Sequence, residues 1–136
     1  TAWIAETLTA AGATLVHGPD PSVLPKARKN KVELAGTRKA HVRDGAAMAR
    51  FLHWIDRESV GQGELAVMAK LEEIRGGDSL HKGASFTTIA GAGSNGAIVH
   101  YRSSPETERK VEKGTFLLID SGAQYLDGTT DITRTI

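Results

Sequence analysis

The chain has 136 residues, 40% of them apolar and 24% charged, which suits one globular domain with a moderate core. With a formal net charge of +1, nothing argues for nucleic acid or a membrane surface as a general partner. The absence of cysteine excludes a disulfide scaffold and a thiolate zinc site, but not a metal site built from carboxylates and imidazoles. No apolar run approaches the roughly 18 residues of a membrane span, and the start lacks a basic-then-apolar signal pattern. Cytoplasmic localisation is therefore the default. The chain starts with Thr1 and stops at Ile136 inside an apparent strand, so a fragment of something longer is expected.

In chain order, AWIAETLTAAG (2–12) reads as a short amphipathic helix stopped by Gly12. HGPDPSVLP (17–25) holds three of the four prolines and reads as a connector. Residues 29–58 are rich in Ala, Lys, Arg, Leu and Glu with few breakers, which predicts one long helix. Its expected buried stripe is Val32, Ala35, Ala46, Ala49, Leu52 and Ile55, with Arg43, Arg50 and Arg57 toward water. ELAVMAKLEEIR (64–75) predicts a second helix ending at Gly76-Gly77. SFTTIAG (85–91) and AIVHY (97–101) predict strands around a Gly/Ser/Asn turn. A charged loop leads to TFLLIDSG and then to TTDITRTI. Helices followed by antiparallel strands argue an α+β fold.

The closing segment carries two acids, Asp120 and Asp131. By period-2 alternation Asp120 shares a face with Phe116 and Leu118. An unpaired carboxylate buried there costs several kcal/mol, so it must be exposed, paired with a cation or bound to metal. A two-residue turn at Asp127-Gly128 would set Asp131 opposite Gln124, roughly 13 Å along the strand from Asp120. A four-residue connection, Tyr125 to Gly128, would set it opposite Gly122, a diagonal neighbour of Asp120 at about 7–8 Å. Gly122 would then leave room for an ion or for a bulge. The plainer reading is a surface hairpin whose acids pair with Arg134 or Lys113, or stay solvated. Two carboxylates alone fall short of the roughly six ligands that hard divalent ions take.

The wording of three segments resembles one family. IDSGAQYLDGTTDITRT resembles the D-x-G-x-x-Y…D-[IV]-T-R-T signature of the aminopeptidase P (Xaa-Pro aminopeptidase) branch of the pita-bread metallopeptidases. SFTTIAGAGSNGAIVHY is similar to that branch's S-F-x-T-I…G-A-I-x-H-Y phrase, and KARKNKVELAGTRKAHVRDGAAMARFLHWI to the long helix that opens its catalytic domain. The resemblance runs from Lys26 to the end, and implies that 26–136 is the N-terminal half of a pita-bread catalytic domain, with 1–25 the tail of a preceding region and a linker.

Site roles follow from the resemblance position by position. Asp120 would ligate one of two divalent metal ions, usually manganese (Mn2+) in this branch, and Asp131 would bridge both. His100 would contact the substrate and stabilise the transition state. Phe86 either lines the pocket for the substrate's first side chain or is an ordinary core residue. Thr133 would support the metal ligands from behind, and Arg134 would be a paired strand residue. His17, His41, His53 and His81 match no catalytic position. The implied activity is hydrolysis of the N-terminal residue from peptides with proline in second position. The implied partners are that peptide, a complementing C-terminal half, and further copies of the chain. One His and two Glu ligands would follow Ile136, so the chain by itself is expected to be inactive. The alternative is a non-catalytic pita-bread module that binds peptides or proteins.

Overall fold

The computed structural model describes residues 1–136, which divide into two compact units, 1–30 and 31–136. The first unit holds α1 (Ala2–Ala10) and a five-residue helix, α2 (Val23–Ala27). Gly12, at φ +83°, closes α1: its N–H donates to the Thr9 carbonyl and that of Ala13 to the Leu8 carbonyl. This is the paired C-terminal bonding that a left-handed glycine permits. The presumed connector thus ends in a helical turn. Pro25 is tolerated there because first-turn N–H groups have no intrahelical partner.

The second unit is α+β, as expected. Two helices, α3 (Lys31–Glu58) and α4 (Glu64–Gly76), precede six short strands: β1 (His81–Ala84), β2 (Ile89–Ala92), β3 (Leu117–Ser121), β4 (Ala123–Tyr125), β5 (Gly128–Thr129) and β6 (Ile132–Thr135). They form two antiparallel three-stranded sheets, ordered β1-β4-β5 and β2-β3-β6. No helix is long and apolar enough to cross a membrane. The main core joins Met48, Phe51 and Ile55 of α3 and Val67 and Leu71 of α4 to Ala90, Ala92, Leu117 and Ile119 of β2 and β3. A smaller cluster sets Ala40 of α3 against Ala123 and Tyr125 of β4. The long helix therefore backs both sheets, one with each half.

Two expectations fail in this unit. The buried face of α3 is Ala40, Asp44, Ala47, Met48, Phe51 and Ile55, so of the expected stripe only Ile55 is fully buried. Val32, Ala35, Ala46 and Ala49 are exposed. The true stripe runs through a carboxylate, Asp44, which can be buried only because Arg75 of α4 packs against it. AIVHY is not a strand either. Residues 93–97 form a 3₁₀ turn, and Ile98, Val99 and His100 stand exposed beyond it with no strand beside them. Conversely, β1 was missed because HKGA has no β-branched or aromatic residue.

Between the two core clusters Asp44 is fully buried. Arg75 of α4 grips it with both forks, Nε to Oδ1 at 2.7 Å and Nη2 to Oδ2 at 3.0 Å. The Tyr125 hydroxyl donates to Oδ1 at 3.0 Å and the Thr130 hydroxyl to Oδ2 at 2.7 Å. Burial pushes the Asp44 carboxyl up, but the bonds from Arg75 and Thr130, the Arg75 charge and the Tyr125 bond outweigh it and hold the group below its usual 3.8. Burial, then the charge and hydrogen bond of Asp44, push the Tyr125 phenol well above its usual value. Beside this network Arg43 pairs with Asp78 and Asp127 and lies over the Tyr125 ring.

Two outcomes follow from the network. Arg75→Met leaves the Asp44 charge buried without its cation and is expected to destabilise the fold by about 3–5 kcal/mol in denaturant titration. The folded Asp44 carboxyl ionises more readily than the unfolded one, so in acid the unfolded chain binds more protons. Its contribution is full above the usual 3.8 and is lost as pH falls through the lower folded value. The acid limb of the stability–pH curve should accordingly flatten in Asp44→Asn.

Candidate metal centre

Asp120 lies half-buried on β3, on the face opposite the core residues Leu117, Ile119 and Ser121. β6 runs beside it in the register Asp120↔Thr133 and Ser121↔Ile132. The β4–β5 pair continues that register with Gln124↔Thr129 and Tyr125↔Gly128. Gly122 therefore stands opposite Asp131 where the ladder is interrupted, as expected for the longer connection. The turn itself is shorter than expected, Leu126-Asp127, because Tyr125 and Gly128 add one more pair. Packing of Gly128 on Thr37 and Ala40 of α3 holds that extra pair in place.

The pairing puts Asp120 and Thr133 on one face, with Gly122 and Asp131 just outside the paired strands. The Thr133 hydroxyl donates to Asp120 Oδ1 at 2.8 Å, which orients that carboxylate. Asp131 is exposed and its side chain takes no partner. Neither acid meets a cation. Arg134 points elsewhere, donating to the Thr133 carbonyl at 2.7 Å. The surface ion pairs with Arg134 or Lys113 are thus not formed.

The space at Gly122 has another owner than an ion. A Cβ there would run into the Thr130 carbonyl and the Ser85 hydroxyl, and would lie 3.0 Å from the Phe86 ring. Phe86 is half-buried and its ring lies against Gly122, two residues from Asp120. His100 lies outside this cluster. It is exposed, sits in a turn at φ +54°, and forms no hydrogen bond. A non-glycine residue in that region is uncommon and needs surrounding structure to hold it. The adjoining Tyr101 supplies some: its hydroxyl donates to the buried Glu64 carboxylate at 2.9 Å. Asn95 Nδ2 and the Ala92 N–H donate to the same carboxylate at 2.9 and 2.8 Å.

Carboxylates without a cation suit a hard divalent ion, and Thr133 orients one of them. The fit is incomplete, since no group of three or more His, Asp or Glu residues gathers anywhere in the chain. Sequence reasoning missed the residues behind the site: Asp44, Arg75, Ser85 and Thr130. Asp44 and Arg75 did leave a signal, for each sits four residues from a core position, Ala40 and Leu71, on a helix.

The model of metallopeptidase family M24 matches residues 35–136. Aminopeptidase P1 of Arabidopsis thaliana is 42% identical over 141 residues, covering 87% of this chain and 22% of that protein. Xaa-Pro aminopeptidase ApepP of Drosophila melanogaster is 44% identical over 120 residues, covering 85% and 19%. The chain thus spans about a fifth of the length of the curated relatives it matches. Among solved structures, X-prolyl aminopeptidase from Caenorhabditis elegans superposes with a TM-score of 0.76 at 38% identity, covering 82% of this chain and 19% of that one. It is described as a cytosolic enzyme with a di-nuclear active site. The X-Pro aminopeptidase of Thermotoga maritima superposes at 0.72 with 27% identity, covering 98% and 36%. With the family's pattern matched over three-quarters of its length and the fold of these enzymes in its second unit, the chain belongs to metallopeptidase family M24.

Proposed function

We propose that residues 26–136 form the N-terminal half of the catalytic domain of a metal-dependent aminopeptidase, which removes the N-terminal residue from peptides with proline in second position. The observation that supports this reading is the β3–β6 register, which pairs Asp120 with Thr133, two residues from Asp131, while neither acid forms an ion pair. The relatives named Xaa-Pro aminopeptidases support the substrate class, and the di-nuclear centre of the C. elegans enzyme supports two ions. That enzyme's cytosolic description also supports a cytoplasmic setting.

In this reading Asp120, with its oxygen turned by Thr133, and Asp131 would hold two divalent ions. Those ions, manganese in this proposal, would supply an activated water and polarise the scissile carbonyl. His100 donates a hydrogen bond to the oxyanion that develops on that carbonyl. Phe86 walls the side of the acids where the substrate's first side chain would lie. Divalent ions take about six ligands, so further donors must come from outside residues 1–136.

Two measurements test the proposal. The 136-residue chain alone, given manganese, is expected to show no turnover of an Xaa-Pro peptide; robust hydrolysis would refute the division of the site. In the full-length enzyme, His100→Ala should lower kcat by on the order of 10²–10³-fold with metal content unchanged, the loss seen for an oxyanion donor. A variant with normal kcat removes His100 from the chemistry.

A further inference from the structure

Asp120 and Asp131 are held in different ways. Asp120 is oriented through its own side chain by Thr133, whereas the Asp131 side chain touches no partner, so only its backbone locates it. That backbone is fixed one residue earlier. Thr130 is buried between β5 and β6, at the point where the chain passes from one sheet to the other. Its N–H donates to the Ala123 carbonyl at 2.9 Å, the bond that the register calls for. The return bond is diverted: the Ala123 N–H donates to the Thr130 hydroxyl oxygen at 3.0 Å, in place of the Thr130 carbonyl. The carbonyl, released from the ladder, accepts from the Ser85 hydroxyl at 3.0 Å. A hydroxyl has one proton, and that of Thr130 goes to Asp44 Oδ2 at 2.7 Å.

We infer that Thr130, pinned by Asp44 behind it and by Ser85 beside it, is the positioning residue that presents Asp131 to the metal ions. Every polar atom of Thr130 is committed, to Ala123, Ser85 and Asp44. The hydroxyl replaces a main-chain partner, which lets the strand turn between the sheets without leaving an unsatisfied N–H. A ligand placed from behind in this way loses affinity when the support is removed, typically by about 10–100-fold. The inference rests on the proposed metallopeptidase reading.

The test is manganese(II) titration of the full-length enzyme, followed by calorimetry and by the EPR signal of the coupled pair. Wild type, Asp131→Asn, Thr130→Val, Thr130→Ser and Ser85→Ala are compared. Thr130→Val should weaken one of two ions by about 10–100-fold and erase the coupled signal, while Thr130→Ser, which keeps the hydroxyl, retains both. Equal losses in the Val and Ser variants, or wild-type affinity in the Val variant, would overturn the inference. If the Val variant does not fold, Ser85→Ala carries the test, with a loss of about tenfold expected and unchanged binding overturning the idea. A wild type that binds no manganese, or an Asp131→Asn variant that binds as wild type does, brings down the metallopeptidase reading and this inference with it.

Discussion

Asp44 is a carboxylate in the middle of a packed interior, and the second unit is arranged around satisfying it. An isolated buried charge is worth several kcal/mol of penalty, so its partners cannot be optional. They come from three separate places in the chain: Arg75 near the end of α4, Tyr125 on β4, and Thr130 after β5. Satisfying one group therefore sets the pitch of α4 on α3 and the seat of the hairpin on both. A buried pair of this kind adds little net stability compared with apolar packing, but it specifies which arrangement is allowed.

The hairpin shows the consequence. Its outer half belongs to one sheet and its inner half to the other, while a single register runs through both. The bend falls at Gly122 and Thr130, where the ladder keeps the Thr130 N–H to Ala123 carbonyl bond but loses its return bond to the Thr130 hydroxyl. Gly122 is required because Ser85, Phe86 and the Thr130 carbonyl fill the place of a side chain. Near the tip, close approach of the Asp127 carbonyl to Gly36 and the Arg43–Asp127 pair fasten the turn to α3. Asp120 thus sits on, and Asp131 just beyond, a strand pair whose back is held by a buried network.

A second buried carboxylate plays a comparable part at the other end of the β2-β3-β6 sheet. Glu64, at the first turn of α4, gathers donors from Ala92, Asn95 and Tyr101. These brace the 3₁₀ turn and the residue after His100, whose left-handed backbone has no glycine to ease it. Both regions assigned chemistry are exposed and locally irregular, and each is tied to the helices by a buried acid.

Much of this was legible in the amino-acid order. Helix lengths, the α+β order and the wording of the family phrases could be read directly, because helix propensity, breakers and motif spacing are local properties. The pairing of Asp131 with Gly122 could be narrowed to two registers by counting. What could not be read was any role that depends on a distant partner. Asp44 looks like a wet-side acid until Arg75, 31 residues later, is packed against it. AIVHY has the composition of a strand, but no neighbouring strand is there to receive it, and β-propensity without a partner does not make a sheet. The sequence by itself determined the helices, the α+β order and the identity of the two candidate ligands. The tertiary structure decided the buried face of α3, the turn that carries His100 and the fixing of Thr130, since each depends on which groups meet when separate segments pack.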